Sequence, residues 1–230
     1  MFVKDREDRI FSEWKELVKR DSPAFFVTDG IVCEDAWEKA ALRVLYLLKE
    51  VNGADDEWDE RDYLGKYNEK DDYIKTHSPT IDILIKWQFG IMDAGKSNWS
   101  EVENQLQNKE LQSDLLKQIC LVNIKKTAGG GIVDWEQFDA YFANTANHTF
   151  LNQQLSLYNP QIVVCGGTAW HLCKIKGWNY DEWQQTSRGV RYYRDSNVTY
   201  IEFCHPNNRG PKNIIYYALI DTLKELNIIK

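Results

Sequence analysis

Four short runs of apolar residues recur along the chain, and segments with helical periodicity separate them. The runs cover residues 43–48, 119–124, 160–165 and 200–204. Apolar and β-branched runs of this length predict buried strands, and strands that alternate with helices predict a parallel sheet covered on both faces. The sequence therefore predicts an α/β fold, a three-layer αβα sandwich around a central four-stranded parallel sheet.

The segments between these runs predict helices and loops. Residues 5–20 carry an apolar stripe at helical spacing, which predicts an amphipathic helix packed on the domain. The acidic stretch 54–72 is predicted as a loop, and a small hairpin is expected around Arg188 and Gly189. Repeats and linker-like composition are absent, so residues 1–230 are expected to form a single domain. Further helices are predicted at 81–92, 101–117, 135–158, 169–173 and 213–226.

Composition narrows the function classes. The net charge of −7 argues against a broadly cationic nucleic-acid binder but leaves room for a local basic cleft. Apolar runs are too short to span a membrane, and the charged start does not resemble a secretory signal. The five cysteines lack zinc or iron–sulfur spacing, which predicts reduced and mostly buried thiols. We expect a cytoplasmic protein with no membrane contact, metal or cofactor.

Polar residues follow each of the four predicted strands. Right-handed crossovers place the carboxyl ends of parallel strands at one edge of the sheet, where α/β proteins bind ligands. Neither a P-loop, a Rossmann glycine pattern nor a nucleophile elbow is present. The groups predicted to meet at this edge are Glu50 with Asn52 and Gly53, Asn123 with Lys126, Gly166 with Gly167, and His205 with Arg209.

A carboxylate and an imidazole at one edge suit the hydrolysis of a glycosidic bond. Glu50 would orient water or stabilise an oxocarbenium-like sugar, and His205 would donate a hydrogen bond to the departing base. The amide of Asn123 offers a donor and an acceptor, which suit the edge of a pyrimidine. Simpler interpretations remain open, namely a solvated strand-end charge for Glu50 and a turn residue for Asn123.

The order of these blocks between about residues 42 and 210 resembles the uracil-DNA glycosylase superfamily. Residues 49–53 (KEVNG) resemble the family's first motif, and residues 122–126 (VNIKK) are similar to the strand whose Asn reads the base. Residues 162–170 (IVVCGGTAW) resemble the third-strand block, and residues 205–209 (HPNNR) are similar to the closing His-Pro-Ser motif. Lys49 and Asn52 stand where the family usually has Gly and Pro.

The resemblance implies a DNA glycosylase with a defined set of site residues. It implies catalytic roles for Glu50, Asn52 and His205, and a stacking ring from Tyr63, with Trp58 as the second candidate. It implies that Asn123 reads the base beside Gly53 and Gly166. It implies DNA contacts from Lys126, Gly167, Thr168, Asn207 at a phosphate-contacting position, Asn208, and Arg209 as the wedge that fills the vacated stack.

Three functions follow from these features. The first is a DNA base-excision hydrolase that cleaves the N-glycosidic bond of a pyrimidine nucleotide flipped out of the DNA. The second is a non-catalytic nucleic-acid or nucleotide-binding module on the same fold. The third is an acidic protein-interaction domain, or else a solvated loop, built on Asp55, Asp56, Glu57, Asp59, Glu60 and Asp62.

Overall fold

A computed structural model describes residues 2–21, 24–53, 56–66 and 78–230. The helices are α1 Val3–Asp21, α2 Glu34–Lys39, α3 Glu60–Gly65, α4 Pro79–Met92, α5 Trp99–Gln105, α6 Lys109–Lys117, α7 Trp135–Ala143, α8 Thr145–Leu155, α9 Ala169–Lys176 and α10 Lys212–Glu225, with a 3₁₀ turn at Tyr180–Glu182. The strands are β1 Val27–Thr28, β2 Gly30–Ile31, β3 Val44–Leu48, β4 Trp58–Asp59, β5 Ile119–Asn123, β6 Ile162–Gly166, β7 Gln184–Gln185, β8 Arg191–Asp195 and β9 Val198–Phe203.

The main sheet has seven strands in the order β2-β5-β3-β6-β9-β8-β7. Strands β5, β3, β6 and β9 are parallel, whereas β2, β8 and β7 pair antiparallel to their neighbours. The predicted α/β class is confirmed, but the predicted central four-stranded parallel sheet is wrong, because the sheet is mixed and has seven strands. The added strands are short or partly exposed, so they carry no continuous apolar run that a sequence pattern detects.

Apolar side chains cover both faces of the sheet. Along β3, Val44 and Tyr46 face a cluster built with α4, α6 and α10, while Leu45 and Leu47 face a cluster built with α1, α8 and α9. Burial on both faces explains why the inner strands are continuous apolar runs rather than alternating ones. It also leaves the carboxyl ends of these strands as the open edge.

Several predicted segments differ in detail from the structure. The predicted helices 101–117 and 135–158 are each divided in two, at residues 106–108 and at Asn144. The predicted hairpin is present, because β7 pairs with β8 across the turn that contains Gly189.

Within the described part of the chain, no helix is long and apolar enough to cross a membrane. All five cysteines are free thiols.

The predicted acidic loop is wrong for residues 58–65, which form β4 and α3; residues 54–55 and 67–72 lie outside the described residues. Three of its acids are in ion pairs. Arg61 binds the Asp59 carboxylate, and Lys4 and Lys15 on α1 bind Asp62 and Glu57. These basic groups neutralise part of the acidic stretch.

Candidate active site

A cavity of about 320 Å³ opens at the carboxyl edge of the parallel strands. Its walls include Glu50, which follows β3, Asn123 at the end of β5, and His205, which follows β9. The smallest ligand pockets in proteins have volumes of roughly 300 Å³, so this cavity can hold a ligand as small as one nucleobase. The crossovers bring together three side chains that are far apart in the chain. We call this space the edge cavity.

Two loops form a fixed rim beside the cavity. Lys125 donates its backbone N–H to the Lys49 carbonyl over 2.8 Å, and Gly129 donates to the Val51 carbonyl over 2.8 Å. A Cβ at Gly129 would lie 2.1 Å from Oε1 of Glu50, so a larger residue there would displace this carboxylate. The backbone pairing of β3 and β5 thus continues past the strand ends and positions Glu50.

Glu50 is a buried carboxylate paired with a lysine. Its Oε2 accepts a hydrogen bond of 2.7 Å from Nζ of Lys125, and both side chains are only 5% exposed. Its Oε1 is buried and has no hydrogen-bond partner. A buried polar atom without a partner is costly, so Oε1 is the Glu50 oxygen whose hydrogen-bonding capacity is unused. The interpretation of Glu50 as a solvated strand-end charge is wrong.

Asn123 is oriented by a buried carboxylate on the β1–β2 connection. Oδ2 of Asp29 accepts from the backbone N–H of Asn123 over 2.8 Å and from its Nδ2 over 3.3 Å. Asp29 also binds Nζ of Lys126 and, over 2.9 Å, Nε2 of Gln154. Since Nδ2 faces Asp29, Oδ1 and the second Nδ2 hydrogen remain for a ligand. The alternative turn role for Asn123 is wrong, because its side chain binds a residue far along the chain.

His205 is held as a neutral ring. Its Nδ1 lies 3.1 Å from the backbone N–H of Asn207 and accepts its hydrogen bond, which leaves the ring proton on Nε2. Burial, with the nearby charges of Lys49 and Lys212, lowers the pKa of His205 to about 4. At neutral pH the ring is therefore an uncharged hydrogen-bond donor through Nε2.

Trp58 and Tyr63 form an aromatic wall of the edge cavity. Their ring centroids are 5.0 Å apart, and both residues line the cavity. Helix α3, which carries Tyr63, is fixed to α1 because the buried guanidinium of Arg61 binds Glu7 over 2.6 Å and Asp8 over 2.8 Å. The stacking candidates named from the sequence are thus both placed at the site.

Glu60 is a cavity residue that the sequence analysis named only as one acid of the acidic stretch. It is 8% exposed, and its Oε2 is buried without a hydrogen-bond partner. Burial, reinforced by the negative charge of Asp29, raises its pKa to about 8. Glu60 is therefore mainly a neutral carboxylic acid at pH 7, with a hydroxyl that can donate. A glutamate within an acidic stretch gives no sequence signal of such burial.

The other predicted contacts divide into exposed and buried residues. Asn52 and Asn207 line the edge cavity, while Gly53, Gly167, Asn208 and Arg209 are exposed near its rim. Lys126 and Thr168 lie inside the protein, where Lys126 binds Asp29 and Thr168 donates to the Leu47 carbonyl, so neither meets a nucleic acid as predicted. Gly166 is buried against Leu48 and Pro206 rather than against the cavity.

Lys49 lines the edge cavity. Its Nζ lies 4.8 Å from the centre of the Trp135 ring, a cation–π contact. Burial lowers the pKa of Lys49, and the neighbouring Glu50 partly opposes this. The side chain therefore adds a cation at the mouth of the cavity.

Neither a protein-family model nor a curated protein matches this chain. Among the described residues, no group of three or more His, Cys, Asp or Glu side chains is arranged to hold a metal ion. Function is therefore inferred from the geometry of the edge cavity.

Proposed function

We propose that the protein is a DNA base-excision hydrolase, which cleaves the N-glycosidic bond of a pyrimidine nucleotide flipped into the edge cavity. The observation that carries the proposal is that Glu50, Asn123 and His205 line one cavity of nucleobase size. Each presents the group that its role requires: an unpartnered carboxylate oxygen, an oriented amide and a neutral imidazole.

The flipped base is bound by stacking and by its edge. Trp58 and Tyr63 supply the aromatic wall on which the base stacks. Asn123 pairs with the base through Oδ1 and the free Nδ2 hydrogen, while Asp29 prevents the amide from rotating. A pyrimidine carrying one donor beside one acceptor satisfies this amide with two hydrogen bonds.

Glu50 and His205 act on the two sides of the breaking bond. Lys125 binds Oε2 of Glu50, and the Glu50 carboxylate holds the attacking water and balances the positive charge that develops on the sugar. The bond between C1′ and the base nitrogen breaks, and its electron pair leaves with the base. Nε2–H of His205 donates a hydrogen bond to the base oxygen as that oxygen gains charge. The water oxygen bonds to C1′ and gives its proton to the Glu50 carboxylate, and the departed base anion then takes up a proton from solvent.

The test is base release from oligonucleotides that carry uracil or other modified pyrimidines. Asn123→Asp and His205→Ala should each reduce release at least 100-fold, a loss typical of an oriented donor, while leaving the circular dichroism spectrum unchanged. Asn104→Asp, an exposed asparagine on α5, is the matched control and should retain full activity. A wild-type protein inert on every base in the panel would refute the proposal.

Lys49 favours a second candidate function, a non-catalytic nucleotide-binding module that uses the same cavity. The side chain of Lys49 takes up space at the motif position where glycine would let a ligand approach the backbone. Binding of a pyrimidine nucleotide without any turnover, and with an affinity that falls steeply with salt, would favour this candidate. Lys49→Gly would then weaken binding rather than raise base release.

A further inference from the structure

Two tryptophans stand exposed next to the edge cavity. Trp135 and Trp170 expose 50% and 49% of their surface. Each carries a lysine ammonium over its ring, Lys49 at 4.8 Å from the centre of Trp135 and Lys174 at 5.2 Å from the centre of Trp170. Exposed apolar surface beside a cavity is a candidate ligand contact, and a cation lies over each of these two rings.

The buried ring of Phe138 and the partly buried ring of Phe142 lie between the two tryptophans. Trp135 lies 5.9 Å from Phe138, which stacks on Phe142 at 6.4 Å with the two planes only 6° apart. Phe142 in turn lies 6.3 Å from Trp170, and His171 packs edge-on between these rings. The two exposed rings are thus held on a rigid support.

This aromatic surface begins at the cavity. Trp135 follows the loop whose residues Gly130, Gly131 and Val133 line the edge cavity, and Lys49 belongs to both the cavity and the Trp135 contact. Trp170 is the second residue of α9 and lies three positions after Gly167, where an added Cβ would lie 3.4 Å from Nζ of Lys49. The surface therefore leads outward from the cavity mouth.

We propose that Trp135 and Trp170 form a platform for single-stranded DNA, on which bases beside the flipped nucleotide stack as Lys49 and Lys174 move from the ring faces to phosphates. The inference rests on the proposed function and adds the strand preference. Aromatic stacking binds single strands of any sequence, because every base has a π-face. Duplex binding depends on neutralising many phosphates, which a chain of net charge −7 does poorly, so few cations and two rings favour a single strand.

Fluorescence anisotropy with a labelled oligo-dT and a hairpin duplex tests the platform. Trp135→Ala and Trp170→Ala should each weaken single-strand binding about tenfold, the loss expected of one stacked base, with little effect on the duplex. Trp170→Phe should restore most of the affinity, because it keeps an aromatic face. Lys174→Ala should lower the salt slope of single-strand binding by about 0.7, since one phosphate contact is lost. The control is Phe2→Ala, which removes an aromatic ring that is 70% exposed and directly precedes α1. This variant should bind the single strand as tightly as wild type.

The outcomes separate this inference from the proposed function. Unchanged single-strand affinity in folded Trp135→Ala and Trp170→Ala variants overturns the platform, and so does an equal loss on single strand and duplex. Failure of Trp170→Phe to restore binding also overturns it. If the tryptophan variants lose single-strand binding but wild type releases no base, the platform stands and the proposed hydrolase is refuted.

Discussion

Replacing Glu60 by Gln removes a carboxyl group that changes charge inside the edge cavity. In the folded protein this group takes up its proton with a pKa of about 8, whereas the ordinary value is 4.5. Between these values the folded state binds a proton that the unfolded chain does not, so the free energy of unfolding falls as pH rises through this window. Gln has the same shape and no titration, so the variant lacks this fall.

The size of the effect follows from the pKa difference of Glu60. A separation of about 3.5 pH units at about 1.4 kcal/mol each gives a ceiling of about 5 kcal/mol between pH 4.5 and 8. Water can reach the cavity and solvate the ionised form, so we expect roughly half of that ceiling. Below pH 4.5 both states are protonated and this pH dependence vanishes.

Urea unfolding at half-unit steps from pH 4.5 to 8.5 measures the effect of Glu60→Gln. Wild type should lose stability relative to the variant across this range, with the two curves diverging most between pH 5 and 8. Glu13→Gln, at an exposed glutamate of α1, is the matched control and should run parallel to wild type. Parallel curves for wild type and Glu60→Gln would refute the assignment of a buried neutral acid at the cavity.

Three further predictions test the parts of the site. Asp29→Asn should destabilise the protein by about 3 kcal/mol in urea unfolding, because Lys126 is left buried without its partner; a loss below about 1 kcal/mol would contradict the buried pairing. Gly129→Ala should displace Glu50 and lower base release about 100-fold at nearly full single-strand affinity, and unchanged release would show that Glu50 is not positioned by this contact. Because the pKa of His205 is about 4, the rate of base release should stay constant down to about pH 5 and fall only near pH 4, where the ring becomes protonated. A fall near pH 6.5 that is absent in His205→Gln would contradict the neutral ring.

The inner strands of the sheet were predictable from sequence because both of their faces are buried. Continuous apolar runs such as β3 and β6 follow directly from that burial. Strands β7 and β8 were not predicted as part of the sheet, since exposed edge strands have no such requirement. The convergence of Glu50, Asn123 and His205 at one edge followed from the handedness of parallel connections rather than from any single motif.

The partners of the site residues were beyond sequence reasoning because they are set by tertiary packing. Asp29 reaches Asn123 across 94 positions of sequence, and Lys125 reaches Glu50 across 75. The two lysines after β5 show the limit most clearly. Lys126 was expected at a nucleic-acid surface, yet it lies in the core, while its neighbour Lys125 binds the candidate catalytic carboxylate. The two side chains point to different surroundings, so one position along the chain decides the role of a lysine.

A crystal structure with a single-stranded oligonucleotide that carries a non-hydrolysable 2′-fluorinated deoxyuridine tests the central claim most directly. The account predicts the uracil ring inside the edge cavity, with Asn123 on its edge, Nε2 of His205 within 3.2 Å of a base oxygen and C1′ facing Oε1 of Glu50. A base left stacked outside the cavity, or one held there without contact to Asn123 and His205, would contradict it.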